Sequence, residues 1–218
     1  MTLGCIFDCD GVVVDSAPLH IVAWKQLCGE EGRQFPERLF PKSFGMKNEQ
    51  IIPQLFKWTT DPREIKRIDE RKEWLFRELV RTRGAATFPG VKSFLTMLHK
   101  RRVPCVIGSS APRANVDAAL ATLGFTGFFK AVVSGEDAAV GKPDPQIFLR
   151  CAEALKQKPS QCVVFEDAHV GIAAARAARM KVVAVANTFP AESLGGADLV
   201  IDRIDRLEFN TLQRLFES

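Results

Sequence analysis

Near the start of the chain, an apolar run of five residues (3–7) delivers two aspartates, Asp8 and Asp10, into a glycine turn at Gly11. Carboxylates this close repel each other unless a cation or a shared proton holds them, and a hard divalent cation such as Mg²⁺ takes oxygen ligands. Asp and Gly also populate ordinary turns, so the spacing alone is balanced between a site and a solvated strand end. Three later segments shift that balance. Val106-Ile107-Gly108-Ser109-Ser110 ends an apolar run on two hydroxyls and bare amides, which can cradle phosphate or simply cap a helix. Gly141-Lys142-Pro143-Asp144-Pro145 fixes a lysine beside prolines, a compact positive charge for a phosphoryl group. Val163-Val164-Phe165-Glu166-Asp167 ends a further apolar run on paired carboxylates, with Gly171 close behind. Two carboxylate pairs, two hydroxyls and a lysine, all at the ends of apolar runs, point together to phosphoryl chemistry.

The elements that must position these residues follow from periodicity. Short Val- and Ile-rich runs at 3–7, 103–108, 131–134, 162–165, 182–186 and 198–201 are expected as buried parallel strands. Helical patterns fall between them at 91–101, 113–123, 145–156 and 171–179, and Asp205 is expected to cap a closing helix that reaches Phe216. Strand–helix alternation of this kind predicts an α/β doubly wound parallel sheet. Residues 15–87 break the pattern, because their apolar positions recur at helical spacing: Leu19, Val22, Ala23, Leu27, then Ile51, Ile52, Leu55, Phe56, then Ile65, Ile68, Leu75, Leu79. The organisation expected is a core built from 1–14 and 88–218 with a helical domain inserted at 15–87. Trp24, Trp58 and Trp74 are expected in the core of that insertion.

Composition sets outer bounds. The 218 residues are 46% hydrophobic and 26% charged, which is globular and enough for a sizeable core. Thirty Lys+Arg against 26 Asp+Glu give +4, too small and dispersed to argue for nucleic acid. No apolar run approaches the roughly 18–20 residues that span a bilayer, so no membrane association is expected. Asp8 and Asp10 interrupt the first apolar stretch, unlike a secretory signal. The six cysteines form no C-x-x-C pair and read as reduced, buried thiols in a cytoplasmic protein.

The ordered set Asp8-Cys9-Asp10-Gly11-Val12, Ser109, Lys142-Pro143 and Glu166-Asp167 with Gly171 resembles the four motifs of the haloacid dehalogenase superfamily of aspartyl phosphotransferases. The helical insertion after the first motif, entered through Val14-Asp15-Ser16-Ala17-Pro18-Leu19-His20, resembles the cap of the subgroup that holds β-phosphoglucomutase and many sugar-phosphate phosphatases. The resemblance implies Asp8 as nucleophile, Asp10 as general acid–base, and Ser109 and Lys142 on the transferring phosphoryl oxygens, with Ser110 beside them. It implies Mg²⁺ held by Asp8, the Asp10 backbone carbonyl and Asp167, with Glu166 adjacent. An acid at Asp10 suits a phosphate ester or anhydride and disfavours dehalogenation.

The cap should choose the substrate. Residues 42–83 hold eleven Lys/Arg and seven acids, a mixed-sign pattern ordinary for solvated helices. Lys47 and Lys72 stand out by the resemblance, which also places Asn48 where β-phosphoglucomutase carries an arginine for a distal phosphate. His20 resembles a hinge histidine that holds Asp10 and substrate, or else is a half-buried histidine of the first cap turn. Arg179 falls where relatives commonly have glycine at a helix end. The function expected is Mg²⁺-dependent hydrolysis of a small phosphorylated metabolite, sugar phosphates foremost, by a monomer. Phosphosugar mutase, pyrophosphatase and a non-catalytic binding module on the same fold remain as alternatives.

Overall fold

All six apolar runs form strands: β1 (Gly4–Phe7), β2 (Cys105–Gly108), β3 (Val132–Val133), β4 (Cys162–Glu166), β5 (Lys181–Val185) and β6 (Leu199–Ile201), in a computed structural model that describes residues 3–217. They pair in parallel throughout, in the order β3-β2-β1-β4-β5-β6. Phe7 on β1 lies in register with Ile107 of β2 on one side and Phe165 of β4 on the other. The strand order reverses direction between β1 and β4, and at such a switch point a crevice opens beyond the carboxyl ends of the strands. Asp8, Ser109 and Asp167 each directly follow the last residue of a strand at that edge.

A parallel sheet must be covered on both faces, and the period-2 alternation of β1 shows how. Cys5 and Phe7 face a layer that includes Phe94 and Leu98 of α4 (Val91–Lys100), Val116 and Leu120 of α5 (Arg113–Leu123) and Leu212 of α8 (Phe209–Arg214). Ile6 faces the other layer, with Phe148 and Cys151 of α6 (Gln146–Leu155) and Ile172 and Ala175 of α7 (His169–Ala177). Phe7 stacks on Phe165 at 4.5 Å, and Phe94 meets both edge-on. All six cysteines are buried and unpaired.

Between β1 and α4 the chain builds the helical insertion: α1 (Ala17–Glu31), the short α2 (Asn48–Gln50) running into a wide turn at Ile51–Leu55, and α3 (Pro62–Arg83). Pro18 and Pro62 sit in first turns, where a missing N–H costs nothing. Asp61 caps α3 by accepting from the Arg63 N–H, and Gly32 (φ +63°) closes α1 in the left-handed region. Pro53 cannot donate inside α2's extension, and there the hydrogen bonds widen, Phe56 N–H reaching Ile51 O. Trp24, Leu27, Ile52, Ile68 and Phe76 form the insertion's own core. The two chain crossings to the sheet run side by side, joined by Asp15 N–H to Ala86 O and by Thr87 Oγ1 to Val13 O.

Two expectations are corrected and one, for Trp58, is met in part. Trp74 is 45% exposed on α3, shielded by the Arg71 guanidinium 4.4 Å above its ring, because the apolar stripe of α3 passes through Ile68, Leu75 and Leu79 instead. Trp58 lies in coil after the wide turn, half-buried against Trp24 and Phe56. Asp205 does not cap the closing helix: it pairs with Arg203 in a single turn against Gly90, while Ile204 and Leu207 insert into the core and delay α8 to Phe209.

Candidate active site

The residues at the carboxyl edge converge in three dimensions. Lys142, 134 positions after Asp8, reaches back beneath the sheet edge and donates to Asp8 Oδ1 at 2.7 Å and to Glu166 Oε1 at 2.6 Å. Its side chain has no exposure to solvent, and its ammonium lies 4.8 Å over the Phe148 ring. The loop that presents it holds a cis Lys142–Pro143 peptide. Burial disfavours its charge, but the carboxylates of Asp8 and Glu166 outweigh that and hold it above its ordinary value.

Glu166 is fully committed. Its Oε2 accepts from the backbone N–H groups of Asp167 and Ala168, so this carboxylate braces both Lys142 and the turn after β4. Gly171 makes room for it, since a Cβ there would overlap the Glu166 carboxylate. Asp167 hydrogen-bonds the Thr188 hydroxyl, and Gly11, at φ +89°, leaves the space its carboxylate occupies. Asn187 Nδ2 donates to the Gly11 carbonyl, tying the first motif's turn to the end of β5. Thr188 and Asn187 carry no signal in the sequence; only the fold brings them here.

Carboxylate oxygens of Asp8, Glu166 and Asp167 come within 4.8 Å of one another. Burial, then Glu166 and Asp10 acting against the favourable Lys142, pushes the Asp8 carboxyl up to about 8. Burial and the neighbouring Glu166 and Asp8 raise Asp167 well above the carboxylate range. Three buried carboxylates share one lysine, so the group is short of positive charge. An all-oxygen donor set with that deficit fits a hard dication. Since Glu166 is already spent on Lys142 and two amides, Asp8 and Asp167 are the side chains with capacity to hold one.

Asp10 turns the other way, toward the insertion. His20, on α1, approaches Asp10 Oδ1 through Nε2 at 3.5 Å, and its Nδ1 lies 2.8 Å from Lys72 Nζ of α3. An ammonium can only donate, so Nδ1 accepts and Nε2 carries the hydrogen that faces Asp10. His20 is stacked on Phe76 at 4.1 Å, which fixes its plane. Burial alone would raise Asp10, but the hydrogen bond from His20 outweighs it, with the Lys72 ammonium beyond, and its carboxyl is held below its ordinary value. Two neighbouring carboxyls thus sit in opposite environments: Asp8 is raised and Asp10 lowered.

Lys72 is 3% exposed and also donates to Glu73 Oε1 at 2.7 Å, beneath the Trp24 ring. Glu73, buried as well, accepts from Asn48 Nδ2 at 2.5 Å and from Asn115 Nδ2 of α5. Asn115 in turn accepts from Arg77. A buried polar chain therefore runs from Asp10 through His20, Lys72 and Glu73 to α5 of the sheet layer. Sequence reasoning missed Glu73 and Asn115. The only available signal was a polar residue at a position of the helical pattern that faces inward.

Ser109 is buried, and its Oγ accepts from the Ala111 N–H. Ser110 Oγ donates to Gly45 O of the insertion, and Lys47 Nζ donates to the carbonyls of Gly135 and Ala138 at 2.7 Å each. Lys47 and Ser110 thus clasp the insertion onto the sheet edge. A cavity of about 230 Å³ lies between, lined by Asp8, Asp10, His20, Ser109 and Lys72 among others. Of the residues singled out in the sequence, Asp8, Asp10, His20, Lys47, Asn48, Lys72, Ser109 and Ser110 border it, with Lys142, Glu166 and Asp167 behind Asp8.

Comparison with known proteins gives this geometry a context. The haloacid dehalogenase-like hydrolase family matches residues 3–179. The chain is 36% identical, over 99% of its length, to the chloroplastic 5-amino-6-(5-phospho-D-ribitylamino)uracil phosphatase of Arabidopsis thaliana, of which it spans 58%. It is 37% identical to the fructose-1-phosphate phosphatase YqaB of Escherichia coli K12, with 84% of this chain and 95% of that one aligned. The crystal structure of β-phosphoglucomutase from Clostridium difficile superposes with a TM-score of 0.87 at 26% identity, covering 100% of this chain and 98% of that one. Among the described residues, no helix is long and apolar enough to cross a membrane.

Proposed function

Since the chain belongs to the haloacid dehalogenase-like hydrolases and acts on small phosphorylated compounds, we propose that it is a Mg²⁺-dependent phosphomonoesterase of a polyhydroxylated metabolite, working through a phosphoaspartate on Asp8. The observation that carries this reading is the opposed pair at the cavity floor. Asp8 is backed by Lys142 and the acidic group, while Asp10, two residues on, is held by His20 under the cap.

In the first step Asp8 attacks phosphorus, the bond to the ester oxygen breaks, and the departing alkoxide takes a proton from Asp10. In the second, Asp10 as carboxylate accepts a proton from water while that water attacks the phosphoaspartate, which frees inorganic phosphate and restores Asp8. Asp10 must be protonated for the first step and ionised for the second. His20, with its hydrogen on Nε2, is a donor to Asp10 in its ionised form. Lys142 and Ser109 oppose the charge of the transferring group, the effect that dominates phosphoryl transfer. Asp8, the Asp10 carbonyl and Asp167 would hold Mg²⁺, which when bound supplies the positive charge this carboxylate group lacks.

A cavity of about 230 Å³ suits a small metabolite. The names of the relatives, a ribityl phosphate phosphatase and a fructose-1-phosphate phosphatase, support a sugar or polyol phosphate. Likeness to a β-phosphoglucomutase favours a second reading, transfer of the phosphoryl group to another hydroxyl of the sugar. That route passes through a bisphosphate, and the cap residue expected to meet a distal phosphate is Asn48, without an arginine's fork.

The test is phosphate release with Mg²⁺ from hexose, pentose, pentitol and glycerol phosphates, nucleotides and pyrophosphate, run beside a coupled assay for glucose 6-phosphate made from β-glucose 1-phosphate. Free phosphate from one compact group of esters is expected, with Asp8→Asn reducing kcat on the order of 10³-fold or more. Turnover that survives Asp8→Asn would remove the nucleophile assignment, and glucose 6-phosphate without free phosphate would establish the mutase instead.

A further inference from the structure

Resting on the hydrolase reading above, the cap end of the same cavity carries information on which esters it admits. Both ammonium groups that border the cavity are already held by protein acceptors. Lys47 Nζ sits between the Gly135 and Ala138 carbonyls, and Lys72 Nζ between His20 Nδ1 and Glu73 Oε1. Against these two cations stand three carboxylates on the cap side, Glu49, Asp69 and Glu73.

The side chain of Asn48 lies between two of them, its nitrogen 2.7 Å from Asp69 Oδ1 and 2.5 Å from Glu73 Oε1. An amide oxygen there would confront two carboxylates, so the NH₂ faces them and both of its hydrogens are used. What remains without a protein partner here, among the described residues, is Asn48 Oδ1, Asp69 Oδ2 and the carboxylate of Glu49, all of them acceptors. Glu73 is balanced by Lys72. Asp69 has no cation within ion-pair distance among the described residues, and burial followed by the repulsion of Glu73 raises its carboxyl above the ordinary value. The cap end of the cavity is therefore rich in acceptors and poor in free cations.

We propose that this end of the cavity accepts the hydroxyl hydrogens of a sugar or polyol monophosphate and rejects a second phosphate, with Asp69 as the specificity-determining residue. Hydroxyls of a polyol donate one to Asn48 Oδ1 and another to Asp69 Oδ2 without displacing any existing bond. A phosphate brought to the same place meets an unbalanced carboxylate and would have to pull Lys47 or Lys72 from its present partners.

The experiment measures kcat/KM with Mg²⁺ on two matched pairs, fructose 1-phosphate with fructose 1,6-bisphosphate and ribitol 5-phosphate with ribitol 1,5-bisphosphate, plus phenyl phosphate as an ester with no hydroxyls. The wild type is expected to prefer the monophosphate of at least one pair by roughly 10–100-fold, the range for a hydrogen bond to a charged group. Asp69→Asn keeps the side chain's shape and should shrink that preference about tenfold, mainly through KM, and Asp69→Lys should shrink it further. Bisphosphates turned over within threefold of their monophosphates by the wild type would overturn the inference. So would a preference that moves less than threefold in both folded variants. Phenyl phosphate keeps the two levels apart. Its hydrolysis without discrimination between the pairs refutes the role of Asp69 alone, whereas no turnover of any ester refutes the hydrolase reading and this inference with it.

Discussion

Replacing Lys142 by Met tests whether the acidic group at the sheet edge is held together by this single cation. Methionine has similar length, fills the same channel and can keep contact with Phe148, so little volume is lost. What disappears is the charge between Asp8 Oδ1 at 2.7 Å and Glu166 Oε1 at 2.6 Å, at a site with no exposure to solvent. Removing one partner from a buried ion pair costs about 3–5 kcal/mol, because the remaining charge stays buried and unpaired. For a chain of this length that corresponds to a fall in Tm of roughly 6–20 °C. The pH dependence gives a sharper signature. Asp8 already titrates at about 8 in the folded protein, above the ordinary aspartate value, so the stability linked to it is fully present at low pH and is lost as pH rises through about 8. Without Lys142 the carboxylates can be neutralised only by binding protons, so the deficit of the variant should be largest at pH 8.5 and shrink by pH 5.5. Urea unfolding of both proteins with chelator at the two pH values measures it, with phosphate release as a second readout, expected to fall about 10²–10³-fold. A Lys142→Met protein within 1 kcal/mol of wild type at pH 8.5, or a deficit that grows on acidification, would refute this account of the site.

Two further outcomes follow from the same structure. Burial would raise Glu73, but the charge of Lys72, with the bonds from Lys72 and Asn115, holds it below its ordinary value. Its contribution to stability is therefore present above about pH 4.3 and lost as pH falls through the lowered folded value. The stability gap between wild type and Glu73→Gln, read from urea midpoints at pH 7, 5 and 3.5, should narrow on acidification; a constant gap would mean that Glu73 is not ionised in the fold. Arg179 sits at φ +58° after α7, exposed, in the left-handed region where a Cβ is strained. Arg179→Gly should stabilise by about 0.5–1 kcal/mol after the entropic cost of glycine, raising Tm by roughly 1–4 °C without change in phosphate release; a lower Tm would contradict it.

The sheet and the floor of the site were legible in the sequence because Asp8, Ser109 and Asp167 directly follow strands, and a buried parallel strand announces itself as a short apolar run. Once the six runs are arranged in parallel, Asp8, Ser109 and Asp167 must share an edge, whatever the loops do. The cap was legible as helices for the same kind of reason, a sustained 3.6-residue period. Which of the eighteen charges between residues 42 and 83 matter was not. In the sequence, Lys72 and Glu73 look like their neighbours Arg71 and Glu70; only the packing of α3 on α1 and α5 buries this pair and leaves the others in water. Lys47 reads as a free cation for an anion until the fold sets two backbone carbonyls within 2.7 Å of it. Trp74 reads as core until the rotation of α3 turns it outward. Local sequence determines element type and strand-end chemistry, because both depend on neighbours in the chain. The partner of each charge was decided by tertiary structure, because a side chain's electrostatic fate depends on groups dozens of residues away, such as Asp8 and Lys142, that only the fold brings together.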